Sequence, residues 1–216
     1  MISDTKVVAI GGGTGLSTML KGLKLHTHNI TAVVTVADDG GSSGILRSDL
    51  GMLAPGDVRN CVSALAEVDP VMGELLNFRF KDGSLKGHSL GNLFLAALNE
   101  TSSSFDEAVK KFSHLTGVVG TVYPVTNESV TLSALLEDGR LIEGESHIGV
   151  HHDGPKNGIV KLMVNPEKPK AVDGVIKALE KADIIVLGPG SLYTSIIPNL
   201  LCLLYTSDAA DDLIGV

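Results

Sequence analysis

The stretch Val7-Val-Ala-Ile-Gly-Gly-Gly-Thr-Gly15 decides the fold of this chain. Its apolar first half is typical of a short buried strand, predicted at about Lys6–Ile10, and its second half is a glycine-rich turn. Apolar residues then recur at helical spacing, which predicts a helix directly after the turn. Glycines let the backbone approach a ligand, and a helix start presents unpaired N–H groups to phosphate. We expect a phosphorylated small molecule, such as a nucleotide, to bind at Gly11, Gly12, Gly13, Thr14 and Gly15.

Length and composition limit the class of protein. The 216 residues are enough for one α/β domain with a small appendage, and a hydrophobic content of 44% predicts a packed core. A net charge of −8 argues against a general nucleic-acid surface or an anionic-membrane surface. The sequence has neither a signal-peptide layout nor a membrane-spanning run, and it has only two cysteines. We therefore expect a cytoplasmic protein without membrane insertion.

Strand and helix patterns alternate along the chain. A second strand is predicted at Ile30–Ala37, and the first strand, the helix and this strand form a βαβ unit, which implies parallel pairing. Further helices follow, and a last helix leads into a strand at Asp183–Leu187. Between them, about residues 118–165 are rich in strand patterns, including a hairpin signal at Asp138-Gly139. The sequence thus predicts an α/β fold with a doubly wound, mainly parallel sheet and a β-rich insertion.

A second polar, glycine-rich loop, Asp38-Asp-Gly-Gly-Ser-Ser-Gly44, follows the second strand. In open α/β sheets, ligands bind at the carboxyl ends of the strands, where this loop lies. Asp38 and Asp39 are therefore candidates to bind ribose hydroxyls, to hold Mg²⁺ or to transfer protons. Gly41 and Ser42 belong to the same loop. The alternative is that both carboxylates only cap the amides of the turn.

Two helix starts carry further candidate residues. Pro55-Gly56-Asp57 begins a helix with Asp57 as its N-cap, and its buried stripe leaves Arg59 and Asn60 to one side. In His88-Ser-Leu-Gly-Asn92, Ser89 is either a helix cap or, with His88 and Asn92, part of a surface facing a phosphate or a base. The sequence leaves these two interpretations open.

A third loop, Gly188-Pro-Gly-Ser191, follows the last strand and favours a phosphate over an ordinary turn, with Gly188, Gly190 and Ser191 as candidates. A metal site at His151-His-Asp153 is not expected, because adjacent histidines point apart on a strand. The first loop carries Leu16 at the third glycine position of the dinucleotide fingerprint. The chain also lacks the Walker pattern and a nucleophile elbow.

Five segments in order give the chain a family resemblance. It resembles the YvcK family, the bacterial gluconeogenesis factors or UDP-N-acetylglucosamine-binding proteins, over about residues 5–201. The segments are Ile10-Gly-Gly-Gly-Thr-Gly-Leu-Ser17, Thr35-Val-Ala-Asp-Asp-Gly-Gly-Ser-Ser-Gly44, Pro55-Gly-Asp-Val-Arg-Asn60, Gly87-His-Ser-Leu-Gly-Asn92 and Leu187-Gly-Pro-Gly-Ser-Leu-Tyr-Thr-Ser195. The wider superfamily includes the CofD enzyme, 2-phospho-L-lactate transferase.

The resemblance implies a Rossmann-like fold that binds a UDP-sugar. It also implies a cytoplasmic role in gluconeogenic carbon metabolism, cell-wall (peptidoglycan) synthesis and cell shape. Because the YvcK branch has no established catalytic activity, regulatory binding is expected, with no required cofactor, no assigned catalytic residue and no metal. The nucleotide-sugar is the expected partner, beside a regulatory protein or a second copy. The first and third loops would hold the diphosphate, Asp38 a hydroxyl, and Asn60, His88 and Asn92 would line the cleft.

The superfamily resemblance leaves an enzymatic alternative open. A CofD-like transferase would use a guanine nucleotide intermediate and Mg²⁺. In that reading Asp38 or Asp39 would hold the metal, and His88 or Asp57 would assist proton transfer.

The end of the chain departs from the family pattern. From Cys202 onward the residues match nothing in the family, so we expect one domain over 1–201 and a non-native tail over 202–216. Family chains continue by roughly another hundred residues, still within the size of one domain. We therefore expect weakened binding and an exposed apolar surface on this chain.

Overall fold

A computed structural model describes residues 3–151 and 157–204 of the chain. The elements in chain order are β1 (Val7–Gly11), α1 (Gly13–Leu23), β2 (Ile30–Val34), α2 (Gly41–Leu50), α3 (Pro55–Leu65), α4 (Pro70–Asn77), α5 (Leu90–Glu100), α6 (Phe105–Leu115), β3 (Thr121–Pro124), β4 (Thr131–Leu136), β5 (Leu141–Glu143), α7 (Glu145–His151), β6 (Ile159–Asn165), α8 (Asp173–Glu180), β7 (Ile184–Leu187), a π-helical turn (Leu192–Ile196) and α9 (Ile197–Leu204).

The main sheet has the strand order β3-β2-β1-β7, and every neighbouring pair is parallel. From β1 the chain builds outward through β2 to β3, and then returns to place β7 on the other side of β1. Strand order therefore reverses between β1 and β7. In open α/β sheets the crevice at such a reversal lies outside the carboxyl ends of the strands and receives the ligand.

Apolar side chains cover both faces of this sheet, as its β-branched strands require. On one face Ala9, Ala32 and Val34 join the core formed with α1, α3, α5 and α6. On the other face Val8 and Ile10 pack with residues of α8 and α9, among them Val175. This confirms the predicted doubly wound α/β architecture.

A second sheet, of order β5-β4-β6, is antiparallel and spans Thr131–Asn165, with the predicted hairpin between β4 and β5. The strand near residue 120 does not belong to it, because β3 pairs in parallel with β2. The β-rich part therefore begins later than the 118 expected from the sequence. Alternation alone does not reveal which sheet a strand joins, since long-range pairing decides that.

The second glycine loop is shorter than predicted, because helix α2 begins at Gly41. Glycine and serine favour a helix weakly, so tertiary contacts stabilise this one. Its inner serines are buried, and the hydroxyl of Ser43 accepts a hydrogen bond from the amide of Gly56 at 3.2 Å.

Two further sequence predictions were wrong. Asp57 is not an N-cap, because α3 begins at Pro55 with Ala54 as the capping residue. His151 ends helix α7 rather than lying on a strand. His152 and Asp153 of the proposed histidine cluster lie outside the described residues.

The two edges of the main sheet differ in their exposure. At one edge β3 ends in Pro124, a residue that lacks a backbone donor and discourages pairing at an edge. At the other edge Ile184, Ile185 and Leu187 of β7 are about half exposed, so both faces of that strand remain accessible. The apolar surface expected from the sequence is thus present at β7.

We expect that α2 can pack closely against the loop that carries Asp38 and Asp39 because Gly44 has no side chain. A Cβ at Gly44 would lie 2.2 Å from the Asp39 carbonyl oxygen, so Gly44→Ala should lower the free energy of unfolding by about 1–3 kcal/mol. Gly22→Ala in α1 is the control: a Cβ there meets no atom within 4 Å and should raise it by about 0.5–1 kcal/mol. Urea unfolding measures both, and similar effects of the two variants would contradict the close approach.

Candidate functional site

The loops after β1 and β7 touch each other at the carboxyl edge of the sheet. A Cβ on Gly15 would lie 2.8 Å from the carbonyl oxygen of Pro189, and one on Gly12 would lie 2.5 Å from the hydroxyl of Ser195. The side chain of the buried Asn199 links the two loops, because its Nδ2 donates to the carbonyls of Gly11 at 3.0 Å and Ser195 at 2.7 Å. We call the space bounded by residues 11–15 and 188–191 the crevice.

The amide of Gly13, at the start of α1, already has an anionic partner within the chain. It donates a hydrogen bond to the Asp57 carboxylate, which lies so close that a Cβ on Gly13 would be 2.1 Å from Oδ1. Gly12, the N-cap residue of α1, supplies no side-chain cap, so Asp57 satisfies an otherwise orphaned donor. The glycines of this turn therefore make room for a carboxylate and a serine of the same protein.

Burial and like charge raise the pKa of Asp57 to about 6. Removal from water is the largest cause, the charges of Asp38 and Glu145 add to it, and the Gly13 amide and the Arg59 charge oppose it. The pKa of Glu145 is also raised, chiefly by burial, while a hydrogen bond from Thr194 acts in the other direction. The crevice therefore has an acidic side that favours protons or cations.

The two neighbouring aspartates of the second loop have different partners. Oδ1 of Asp38 accepts the amide of Gly40 at 2.9 Å and so closes a local turn. Both oxygens of Asp39 accept amides at the start of α7, from Glu145 at 2.8 Å and from Ser146 at 2.9 Å. Asp39 thus caps a helix that lies more than a hundred residues away in sequence. The Asp38 side chain bonds within its own loop, while its backbone carbonyl accepts Nη1 of Arg47 at 3.1 Å.

His88, Ser89 and Asn92 are buried, and they link helices rather than line open space. The hydroxyl of Ser42 lies 3.0 Å from Nδ1 of His88 and accepts Nδ2 of Asn92 at 3.0 Å. Ser89 caps α5, because its hydroxyl accepts the amide of Asn92 at 3.2 Å. The capping interpretation of Ser89 is therefore confirmed.

Arg59 extends this polar chain and was missed by the sequence analysis. It is buried rather than set to one side, and it donates to Asn92 at 3.3 Å and to Asn77 at 2.8 Å. Gly91 permits this packing, since a Cβ there would lie 2.9 Å from Cδ of Arg59. Burial lowers the pKa of Arg59. The sequence shows that Arg59 lies two residues after Asp57, but only the tertiary packing shows that its side chain points inward.

The remaining candidates belong to the loops and to helices α1 and α3. Thr14 is exposed in the first turn of α1, and Asn60 is half-buried, one helical turn after Asp57. Within residues 3–151 and 157–204, the side chains of Thr14 and Asn60 have no hydrogen-bond partner. The hydroxyl of Ser191 accepts the amide of Thr194 at 3.3 Å, which starts the π-helical turn. Gly188 and Gly41 have positive φ angles of 89° and 46°, which favour glycine.

Thr194 and Ser195, which follow the third loop and extend its serine-rich helix start, also contribute to the site. Glu145 and Asn199 contribute as well and were missed by the sequence analysis. Glu145 carries no local signal, because it reaches the crevice through α7.

The described residues contain no group of three histidine, cysteine, aspartate or glutamate side chains placed to hold a metal ion. Surface concavities of the described part of the chain lie away from the crevice. One, of about 310 Å³, is at the amino ends of β1 to β3, and another, of about 470 Å³, is between the starts of α6 and α8. Over the part of the chain that the structure describes, no helix is long and apolar enough to cross a membrane.

Comparisons with known proteins match this chain over most of its length. The family model described as 2-phospho-L-lactate transferase CofD matches residues 7–204. A protein of Thermoanaerobacterium thermosulfurigenes is 58% identical over 200 residues, which are 93% of this chain and 62% of that protein. A gluconeogenesis factor of Bacillus subtilis is 48% identical over 199 residues, covering 91% of this chain and 61% of that protein.

A solved structure has the same fold. The crystal structure of a member of the UPF0052 family from Bacillus halodurans superimposes with a TM-score of 0.87 at 45% identity, covering 94% of this chain and 64% of that one. This chain therefore spans less than two thirds of the length of these relatives.

The raised pKa of Asp57 predicts a pH-dependent stability. The folded state holds this proton up to about pH 6 and the unfolded chain only to about 3.8, so the contribution of Asp57 to the unfolding free energy falls as pH rises between these values. Asp57→Asn keeps an acceptor for Gly13 and removes the charge. As the pH rises from 4 to 7, the unfolding free energy of Asp57→Asn should increase relative to that of wild type by on the order of 2–3 kcal/mol.

Urea unfolding at several pH values tests this, with Asp82→Asn at an exposed site as the control. A constant difference between wild type and Asp57→Asn across this range would contradict the burial of a titrating carboxyl.

Proposed function

The chain belongs to the CofD family, and from this premise we propose that it is a regulatory protein that binds a UDP-sugar of the UDP-N-acetylglucosamine type. One observation carries the proposal: two glycine loops, from the adjacent parallel strands β1 and β7, meet at the point where strand order reverses. Helix α1 begins there and directs its first amides at the crevice.

The amides available for a diphosphate differ from those expected from the sequence. The Gly13 amide is bonded to Asp57. The amides of Thr14 and Gly15 follow in the first turn of α1, where position alone leaves them without an intrahelical partner. We assign the diphosphate to these two amides and to Gly190 and Ser191 of the facing loop.

Side chains around the diphosphate would bind the rest of the ligand. Asp38 keeps its second oxygen for a ribose or sugar hydroxyl, and Asn60 offers an amide that can donate and accept. We assign Asp39, His88 and Asn92 to positioning, because their polar atoms hold α7, α2 and α5 in place. No cofactor is required for binding of this kind.

The cellular role is part of the same proposal. The name of the Bacillus subtilis relative supports a link to gluconeogenic carbon metabolism. The YvcK resemblance supports links to cell-wall synthesis and cell shape, and a regulatory protein as a further partner. In the described part of the chain no disulfide bond joins Cys61 and Cys202, which supports a cytoplasmic location.

Binding is tested by calorimetric titration of the 216-residue chain with UDP-N-acetylglucosamine in the presence of a chelator. Asn60→Ala and Thr14→Val each remove a side chain without a partner in the described structure, so both should fold normally. We expect Asn60→Ala to weaken binding about tenfold, the loss of about 1.4 kcal/mol. Thr14→Val reports on the rim of the crevice and should weaken binding several-fold.

Thr18→Val, one turn further along α1, is the control and should bind as wild type does. Equal affinities of all four proteins would contradict the assigned crevice. An absence of binding by wild type would contradict the proposal for this chain.

Gly13→Val is a less informative test of the first loop. Its Cβ would lie 2.9 Å from Cα of Asp57, so the substitution would displace α3 as well as any ligand.

A second candidate function is a CofD-like 2-phospho-L-lactate transferase with a guanine nucleotide and Mg²⁺. It is favoured by the name of the matching family and by the acidic side of the crevice, where Asp38, Asp57 and Glu145 repel one another. A magnesium ion would neutralise charge on the nucleotide phosphates. Asp38 would hold this ion in the proposed transferase, because both oxygens of Asp39 are bonded to α7.

The transferase predicts tighter binding of GDP with Mg²⁺ than of the UDP-sugar. It also predicts metal-dependent turnover that Asp38→Asn abolishes. Metal-independent binding of the UDP-sugar with no product formed would exclude this function.

A further inference from the structure

A concavity of about 310 Å³ opens at the amino ends of β1, β2 and β3, at the opposite end of the main sheet from the crevice. Strand β1 is five residues long, so its two ends lie about 15 Å apart at roughly 3.3 Å per residue. The lining residues come from the starts of the three strands and from the end of α8. We call this space the amino-end concavity.

Polar strand residues form the floor of the amino-end concavity. On this face of the sheet Val8 of β1 is buried and packs with Val175 of α8. In the strand register, Thr31 of β2 lies beside Val8, and Thr121 of β3 lies beside Thr31. Both threonines are half-buried, so α8 does not cover them. Threonine keeps a high strand propensity and offers a hydroxyl, so this part of the sheet is suited to contact with polar groups.

Three basic side chains, Lys6, His28 and Lys181, surround these hydroxyls. No aspartate or glutamate among the residues that the structure describes lines the concavity, although the whole chain has a net charge of −8. Glu180 precedes Lys181 but does not line it. The carboxylate of Asp183 faces the backbone, where its Oδ2 accepts the amide of Lys6 at 2.8 Å. The amino-end concavity is therefore a local positive region on an acidic protein.

The fold does not use these polar side chains. Over residues 3–151 and 157–204, the side chains of Lys6, His28, Lys181, Thr31 and Thr121 form no hydrogen bond or ion pair with the rest of the chain. Like charges that are gathered without a counter-ion repel one another, and an anion placed between them is attracted to both. These groups are therefore available to a ligand.

We propose that the amino-end concavity binds a small phosphorylated polyol of about the size of a hexose monophosphate. Lys6, Lys181 and His28 would hold the phosphate group, since the lysine ammonium binds phosphate as a point charge. Thr31 and Thr121 would bond to sugar hydroxyls, because each can donate and accept. A volume of about 310 Å³ is at the small end of ligand pockets and favours a ligand smaller than a nucleotide-sugar. The proposal does not depend on the function assigned to the crevice.

A nuclear magnetic resonance titration of the isotope-labelled 216-residue chain with glucose 6-phosphate tests the site, because amide shifts report both the affinity and the place of binding. We expect saturable shifts at the amides of Thr31, Gly120 and Lys181. Inorganic phosphate should shift the same amides with several-fold lower affinity because it lacks the hydroxyls. Glucose should shift none of them, because it lacks the charge.

Side-chain substitutions separate the phosphate contacts from the sugar contacts. Lys181→Gln and Lys6→Gln should each weaken binding roughly fivefold, as expected for one partly exposed ionic contact. Lys177→Gln removes the same charge one turn earlier on α8, outside the concavity, and should bind as wild type does. Thr31→Val should weaken glucose 6-phosphate several-fold and leave inorganic phosphate unchanged. Thermal melting of all four variants should match wild type, because none of them removes a bond within the described structure.

Four results would overturn the proposal. The first is an absence of shifts at these amides with millimolar glucose 6-phosphate. The second is an equal loss of affinity in Lys177→Gln and Lys181→Gln, which would indicate general attraction by surface charge. Shifts confined to Thr14 and Gly15 that Asn60→Ala removes would place the ligand in the crevice instead. Equal affinities for inorganic phosphate and glucose 6-phosphate would contradict the sugar contacts.

Discussion

The hydrogen bond between the Gly13 amide and the Asp57 carboxylate is the interaction on which the rest of the site depends. It joins the start of α1 to the first turn of α3, and it requires a residue without a Cβ at position 13. Because the glycine turn, α1 and α3 are fixed together, the turn is presented to the adjacent loop after β7 in one conformation. Asp57 satisfies the Gly13 amide at the start of α1, and the amides that follow it in the first turn stay available for a ligand.

Buried polar side chains hold the other walls of the crevice. The chain from His88 through Ser42, Asn92 and Arg59 to Asn77 connects the starts of α2 and α5 with the middle of α3 and the end of α4. Unpaired buried polar groups are costly, so such a chain is stable only when its members bond to one another. It therefore specifies one arrangement of the helices behind the second loop.

The electrostatics of the crevice follow from this arrangement. Asp57 is removed from water by the same packing that gives it the Gly13 amide, and Asp38 and Glu145 add negative charge nearby. A protonated Asp57 or a cation would reduce the repulsion toward a phosphate. The affinity for the proposed anionic ligand would therefore be coupled to the charge state of this side of the crevice. An acidic protein can nevertheless bind phosphates locally, because backbone amides supply the positive potential.

The sequence by itself determined the class of fold and the positions of the three loops. Strand–turn–helix patterns such as Val7–Gly15 are local, so periodicity and glycine spacing reveal them. Only the tertiary structure decided which polar groups meet. Asp57 bonds to α1 instead of capping its own helix, Asp39 caps α7, and β3 joins the main sheet. These contacts join residues far apart in sequence, and packing and the need to satisfy buried hydrogen-bonding groups choose among partners that local propensity cannot distinguish.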